Sequence, residues 1–380
     1  MPAPRRHRVL APLLLLVAAT LLAAPPVAPA ATAAASRPAA AASLLEPTLV
    51  TLHVKDATAR AVFAEVARQT GCEFTTANPA LWDQQRPPVT IALDNVPAWA
   101  AVREACERTG LFPQIVGDRK VTLTADRRGW MDGMITVSGP FLLTLSQVWT
   151  VNNLRPLRPD DVQRDLRFAI GVVPEAKLRV LRGPKFARLE SATDDAGNSL
   201  LPDRAPTDAP NAGGPMAWMV EGVLAHPKAS PRAIASVKGT LKFLVVASAE
   251  LFDVPDIAAA KDVKRKVNKR ELTVQGMKKG EQFYEVRIVV AHAGGTDRDE
   301  AVRIVHPADV QLLDAQGRPL GRGAWFKGAQ SKQHVEFMFQ FTRTLETGEV
   351  GEPARFVWQV PAEVREAIVP FEFTNVPVPR

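Results

Sequence analysis

Few side chains in this chain have the type and spacing that chemistry requires. There are six His; His7 falls in a leader described below, which leaves His53, His226, His292, His306 and His334. None forms an HxH, an HExxH or a Cys/His pair, the spacings that bring two imidazoles to one metal or an imidazole to a thiolate. His292 and His306 lie on strands that could pair, which limits any His site to two ligands. There is no GxSxG elbow and no glycine loop able to cradle a phosphate. Carboxylates are plentiful but scattered, and a glycosidase acid pair need not be close in sequence. Asp194, Asp195 and Asn198, and again Asp297, Asp299 and Glu300, supply oxygens. They lack the alternating ligands and terminal Glu of a calcium loop, and Asp and Gly favour turns for conformational reasons alone. Of the seven Trp, Trp82, Trp99, Trp130, Trp149, Trp218, Trp325 and Trp358, most fall in strand-rich sequence, where Trp is more often core than sugar platform. The spacing therefore assigns no catalytic residue, no cofactor or cofactor-binding residue and no metal ligand.

Two other groups stand out. The chain has only 2 Cys, too few for a disulfide scaffold or a Cys-based metal domain. Cys72 and Cys106 fall in one small domain and read as a structural disulfide, whose closed loop of 34 residues would contribute about 3–4 kcal/mol. The other reading is two buried thiols. The run 261–270 holds Lys261, Lys264, Arg265, Lys266, Lys269 and Arg270. It reads as a solvated linker or edge strand, where Lys blocks unwanted pairing. Its functional reading is an anionic contact through Lys264, Arg265, Lys266, Lys269 and Arg270.

The elements that must position these groups follow from composition and pattern. The 380 residues are 46% hydrophobic and 23% charged, values that fit a folded chain of two or three domains. Residues 1–43 hold 16 Ala and 7 Pro. Arg5, Arg6 and Arg8 precede an apolar run, and Ala28-Pro29-Ala30 follows it, so residues 1–30 read as a cleaved secretory signal peptide and 31–47 as an Ala-rich linker. The expected location is periplasmic or secreted, with no transmembrane segment once the leader is removed. The net charge of +7 falls to about +4 with the leader gone. That modest charge, and few aromatics near the basic run, argue against a nucleic-acid partner.

Residues 48–126 alternate strand and helix signals. Leu49–Val54 alternates; Asp56 can cap the helix after it, whose stripe is Val62, Phe63 and Val66 and whose stop is Gly71. Val89–Leu93 alternates again, Asn95 can cap a second helix with Trp99, Val102 and Cys106 on one face, and Gly110 stops it. A hairpin follows across Gly117-Asp118. "LHVKDATARAVFAEVARQTGCEF" and "IALDNVPAWAAVREACERTGLFP" look like two copies of one unit. With Gln69-Thr70-Gly71, Val89–Pro97 and Thr109-Gly110-Leu111, the stretch resembles the short N-terminal domain shared by secretins and TonB-dependent transducers. The resemblance covers about 78 residues and implies a small α+β interaction module in the periplasm, without catalytic residues. The large membrane barrel of those families is not implied, because the remaining sequence lacks their regular lipid-facing strands.

From Met134 onward the helical period fades. Strand-like runs at Phe141–Val151, Leu166–Val173, Met216–Val223, Ala235–Ala247, Gln282–Ala291, Ala301–Val305, Val335–Thr342 and Ala354–Val360 are separated by turn residues. This predicts a mainly β fold: a βαββαββ-like α+β domain followed by at least one β-sandwich domain and, by the repeat described next, two. Asp-Asp-Ala-Gly-Asn and Asp-Ala-Gln-Gly-Arg recur with Gly197 and Gly317 in register, 120 positions apart, as in a domain duplication. The expected boundaries are 130–258 and 270–380.

These readings predict an exported, non-enzymatic cell-envelope protein whose first domain docks an envelope protein partner or a second copy of itself. The alternative is a carbohydrate- or envelope-polymer-binding protein using the sandwiches, and a cryptic hydrolase ranks third.

Overall fold

The computed structural model describes residues 44–378 apart from 77, 84–86, 116–119, 127–133, 156–157, 208–209, 212–217, 228–231, 268–269, 292–304, 306–308, 332, 343, 346–347 and 350. The fold is mainly β, with three helices among the described residues. No helix among them is long and apolar enough to cross a membrane. The signal-peptide reading lies outside the described residues, as does the turn at Gly117-Asp118.

The first module contains β1 (Leu49–Ala57), α1 (Ala59–Thr70), β2 (Glu73–Thr76), α2 (Ala80–Asp83), β3 (Val89–Pro97), α3 (Ala98–Thr109), β4 (Phe112–Ile115) and β5 (Lys120–Thr124). β1 pairs antiparallel with β3, and the second sheet runs β2-β5-β4 with β2 parallel to β5. The two long helices, α1 and α3, pack between these sheets, burying Phe63, Val66, Trp99 and Val102 with Leu52, Val121 and Leu123.

The two halves of the module are copies in physical detail. Thr70 and, 39 positions later, Thr109 each donate a hydroxyl bond to the carbonyl four residues back. Gly71 and Gly110 follow in the left-handed region at φ 70° and 65°, which a Cβ would disfavour. Asp56 and Asn95 are not the caps that the sequence suggests. They sit at φ 49° and 51° in matching β-bulges. Thr90 Oγ1 accepts from the Asp56 N–H and Thr51 Oγ1 from the Asn95 N–H, both at 3.2 Å. The first helix is capped instead by Thr58, whose hydroxyl accepts from the Ala61 N–H at 3.3 Å. The second starts after Pro97 with no side-chain cap. The bulges need the short polar residues, which tolerate positive φ, so the caps move two residues on.

Cys72 and Cys106 do not form the expected disulfide. Both are buried, at 8% and 0% exposure, and Cys106 serves as a small apolar side chain on α3. Burial pushes its thiol far above the ordinary range.

The first sandwich comprises β6 (Ile135–Ser138), β7 (Phe141–Arg155), β8 (Arg158–Pro174), β9 (Val180–Pro184), β10 (Arg188–Asp194), β11 (Pro210–Asn211), β12 (Trp218–Ala225) and the first part of β13 (Ala233–Val254). The second comprises β14 (Val263–Val267), β15 (Arg270–Lys279), β16 (Phe283–Ala291), β17 (Val310–Asp314), β18 (Gly321–Gln330), β19 (His334–Thr342), the short β20 (Thr344–Leu345) and β21 (Gly348–Glu349), and the first part of β22 (Pro353–Pro377). One sheet of the first runs β12-β8-β7-β6 and one of the second β19-β16-β15-β14, with β18 added beyond β19. β10 pairs with β13 as β17 pairs with β22. The topology is therefore a duplication.

The duplicated turns match atom for atom. Asp194 Oδ1 accepts from the N–H groups of Ala196 and Asn198, and Asp314 Oδ1 from those of Gln316 and Arg318. Leu200 and Leu320 then return their N–H to Ala192 and Leu312. Each Asp is buried, at 3% and 2% exposure, so each turn is built on an acceptor-rich side chain; Asp297, Asp299 and Glu300 lie outside the described residues.

A pH dependence follows. Bonds from the Asn198 side chain and the turn N–H groups hold the Asp194 carboxyl below its ordinary range. Burial pushes Asp314 up, but the Arg318 N–H and guanidinium and the Gly351 and Gln316 N–H groups outweigh it, and the net direction is down. With folded-state pKa values below the unfolded value of about 3.9, the folded chain binds fewer protons in acid. Their stabilisation is complete above about pH 5 and is lost as pH falls through the folded-state values. Thermal midpoints measured across pH 2–6 (a range set by roughly that reference pKa) should fall toward acid. An Asp194→Asn, Asp314→Asn double variant should flatten that slope, and an unchanged slope would refute the assignment.

The sandwiches are not separable at the expected boundaries. β13 and β22 pair antiparallel from Ala233↔Pro377 to Val254↔Phe356. Val245 pairs with Arg365 at the centre, and these positions are equivalent in the duplication, 120 apart. A local two-fold axis passes there. On one side of it Val369, Phe371, Phe373 and Val376 of β22 complete the first core. On the other, Phe252 and Val254 of β13 complete the second. Each unit thus gives the far half of its last strand to the other. The residues after Pro361, expected in the second sandwich, belong to the first.

Candidate functional site

The described residues of the basic run are spread over two strands and the loop before them. Lys264, Arg265 and Lys266 lie on β14, the edge of its sheet, where successive side chains point to opposite faces. Lys266 pairs across the strands with Glu271, and Lys264 Nζ lies 3.7 Å from the Glu271 carboxylate. Arg265 stands over the Phe252 ring at 5.9 Å, Val267 is buried, and Arg270 opens β15 opposite Val267. Lys269 lies outside the described residues. This is the arrangement of an edge guarded by Lys against further pairing.

The other sequence candidates are also dispersed. His53 Nε2 lies 2.7 Å from Asp94 Oδ1 on the exposed face of the β1–β3 sheet. His334 Nδ1 lies 2.9 Å from Ser331 Oγ, and His226 Nδ1 lies 3.0 Å from its neighbour's carbonyl. His292 and His306 lie outside the described residues. Among the described residues no three His, Cys, Asp or Glu side chains converge as metal ligands. Trp99, Trp218 and Trp358 are 2%, 1% and 0% exposed. Trp82 packs on Phe63 beneath Arg60, Trp325 lies against Phe337 and Phe339, Trp149 is half-buried, and Trp130 lies outside the described residues.

The distinctive site is a break in the symmetry of the first module. The Thr51 backbone faces away from β3. Its N–H donates to Gln69 Oε1 at 3.0 Å, and its C=O accepts from Gln69 Nε2 at 2.7 Å. One side-chain amide thus occupies the β1 edge as an added strand would. Glu65 steadies it, accepting from the same Nε2 at 2.6 Å and from Arg68; those two partners lower its carboxyl pKa to about 2.

The equivalent residues of the second copy behave differently. Glu104 stands where Glu65 does and Arg108 where Gln69 does, each 39 positions later. Arg108 Nε donates to Glu104 at 2.7 Å and so is turned along its own helix. Thr90 matches Thr51, so its N–H and C=O also face away from the partner strand. Among the described residues β3 pairs with β1 alone. Gln69 occupies the β1 edge at Thr51, whereas among the described residues no group takes the matching place on the β3 edge. Reading the sequence for catalytic types missed Gln69, although it stands in the Gln-Thr-Gly motif; the signal was its mismatch with Arg108 in the internal repeat.

The module is held firmly to the first sandwich. The Glu175 carboxylate, 3% exposed, accepts from the Thr48 N–H at 3.0 Å and from its hydroxyl at 2.5 Å. Lys177 Nζ donates to the Glu46 carbonyl at 2.6 Å, and Leu142 and Val173 enter the module's core. The open edge is therefore presented on a fixed base. Compared with known proteins, the chain matches no family model, no curated protein and no solved structure.

Proposed function

We propose that this chain is an exported, non-enzymatic cell-envelope protein whose first module docks an envelope protein, or a second copy of itself, by strand addition along β3. The observation that carries the reading is the open β3 edge beside the β1 edge that Gln69 closes. Main-chain bonds to such an edge supply affinity, and alternate side-chain positions supply selectivity. Apart from the one-turn α2, the order β-α-β-β-α-β-β supports the resemblance to the secretin and TonB short N-terminal domain, and the leader-like N-terminal sequence supports export. The polymer-binding alternative draws no support from the buried Trp residues.

Photo-crosslinking in intact cells tests it. A benzophenone side chain replacing Ala92 on β3 should give adducts, and one replacing Lys55 on β1 should not. Adding Gln69→Ala should open β1 and bring adducts to position 55. A second variant, Ala92→Pro, removes an outward N–H without touching the β1 ladder, as edge strands tolerate. In that background, a crosslinker at Thr90 should lose most of its adducts. Equal labelling at 55 and 92 in the parent chain would sink the reading.

A further inference from the structure

The first sandwich carries a cleft of about 490 Å³, within the roughly 300–1,000 Å³ of small-molecule sites. It is built where the duplicated units differ. After Leu320 the chain enters β18, but after Leu200 it runs through Pro202 and Pro206, which wall the cleft opposite Pro184. β17 pairs with β22 without interruption from Val310 to Leu313. β10 instead carries a bulge between Leu189 and Ser191, a device that re-aims side chains. The bulge depends on Gly239, where a Cβ would stand 2.3 Å from the Arg188 carbonyl oxygen. Arg188 and Leu189 both line the cleft.

The lining chemistry is one-sided. The apolar lining is proline and aliphatic apart from Phe186, and its Ile368 and Leu201 stand 58% and 37% exposed. The charged lining residues are Arg188 and Lys242, and no carboxylate is part of the lining. Lys242 already holds Glu366 at 2.6 Å, whereas Arg188 has no carboxylate partner among the described residues. Thr240 is the one neutral polar side chain of the lining, too few hydrogen-bonding groups for a sugar. A mainly apolar cleft with a planar guanidinium in its lining matches an alkyl chain that carries a carboxylate, which Arg takes in a two-point grip.

We propose that this cleft binds a long-chain fatty acid, its chain along Pro184, Pro202 and Ile368 and its carboxylate on Arg188. The proposal is independent of strand addition at β3. Titration of the full chain with fluorescent cis-parinaric acid tests it, with palmitate, uncharged monopalmitoylglycerol and lysophosphatidylglycerol as competitors. Palmitate should displace the probe, with monopalmitoylglycerol about tenfold weaker. Arg188→Gln should weaken palmitate about tenfold and leave monopalmitoylglycerol and the thermal midpoint unchanged. Ile368→Glu, at an exposed position, should abolish probe binding while the protein stays folded. Absence of saturable probe binding, equal palmitate affinity in Arg188→Gln, or lysophosphatidylglycerol outcompeting palmitate would each overturn the proposal.

Discussion

Deleting residues 364–380 should unfold the sandwich nearest the N-terminus. The deleted strand lies beside Ile234, Val237, Leu241 and Phe243 and buries Val369, Phe371, Phe373 and Val376 with them. At about 1.5–3 kcal/mol for each large apolar side chain, the loss is roughly 6–12 kcal/mol. That is comparable with a whole domain's stability of about 5–15 kcal/mol. The truncated chain should lose the near-ultraviolet signal of the buried Trp218, and protease should cut between 141 and 246 before the second core. If that region instead stayed resistant, the exchange of strand halves would be wrong.

Replacing Arg179 by Met should cost about 3–4 kcal/mol, the largest effect expected of one substitution. Arg179 leaves the first unit between β8 and β9, and its carbonyl accepts from the Val246 N–H at 2.9 Å. Its guanidinium reaches the second unit, donating to the Asp309 carboxylate and the Gln359 carbonyl. The two side chains are 26% and 6% exposed. Burial draws the Arg179 pKa down, and Asp309 resists that shift. Removing the cation takes one charge partner from a carboxylate that water barely reaches, whereas an apolar pair avoids that penalty. Arg179→Met with Asp309→Leu should therefore recover much of the loss. A double-mutant cycle by urea unfolding measures the coupling, and additive losses would show that the pair is not what joins the units.

Local chemistry made the first module legible. The Thr-Gly stops and paired acidic or Asn positions are short-range signals, and the structure realises them as matching back-bonds, left-handed caps and bulges. The Asp–Gly turns were legible for the same reason, since one side chain and its next four residues complete the element. Strand partners were not. Periodicity tells which face of a strand is apolar but not which strand lies beside it. The strand-like run Ala354–Val360 stops short of Pro361, yet β22 runs on to Pro377. Pro361 is accommodated because it sits opposite Ala249, where the ladder shifts register, a place where Pro is tolerated. The disulfide expectation failed because core packing of Cys106 satisfied the same two positions. The open edge was invisible for a further reason: the backbone N–H and C=O groups that define it have no side-chain type.

The local two-fold axis also sets the order in which the chain can become native. β13 is synthesised more than 100 residues before the half of β22 that completes its sheet. During that interval β13 has β10 on one side but lacks β22 on the other, so Ile234, Val237, Leu241 and Phe243 wait for their last neighbours, and such non-local pairing is slow and open to misassociation. The first module, by contrast, closes through contacts between neighbouring repeats and can mature early. The far half of β22 is therefore the segment whose emergence completes the first core.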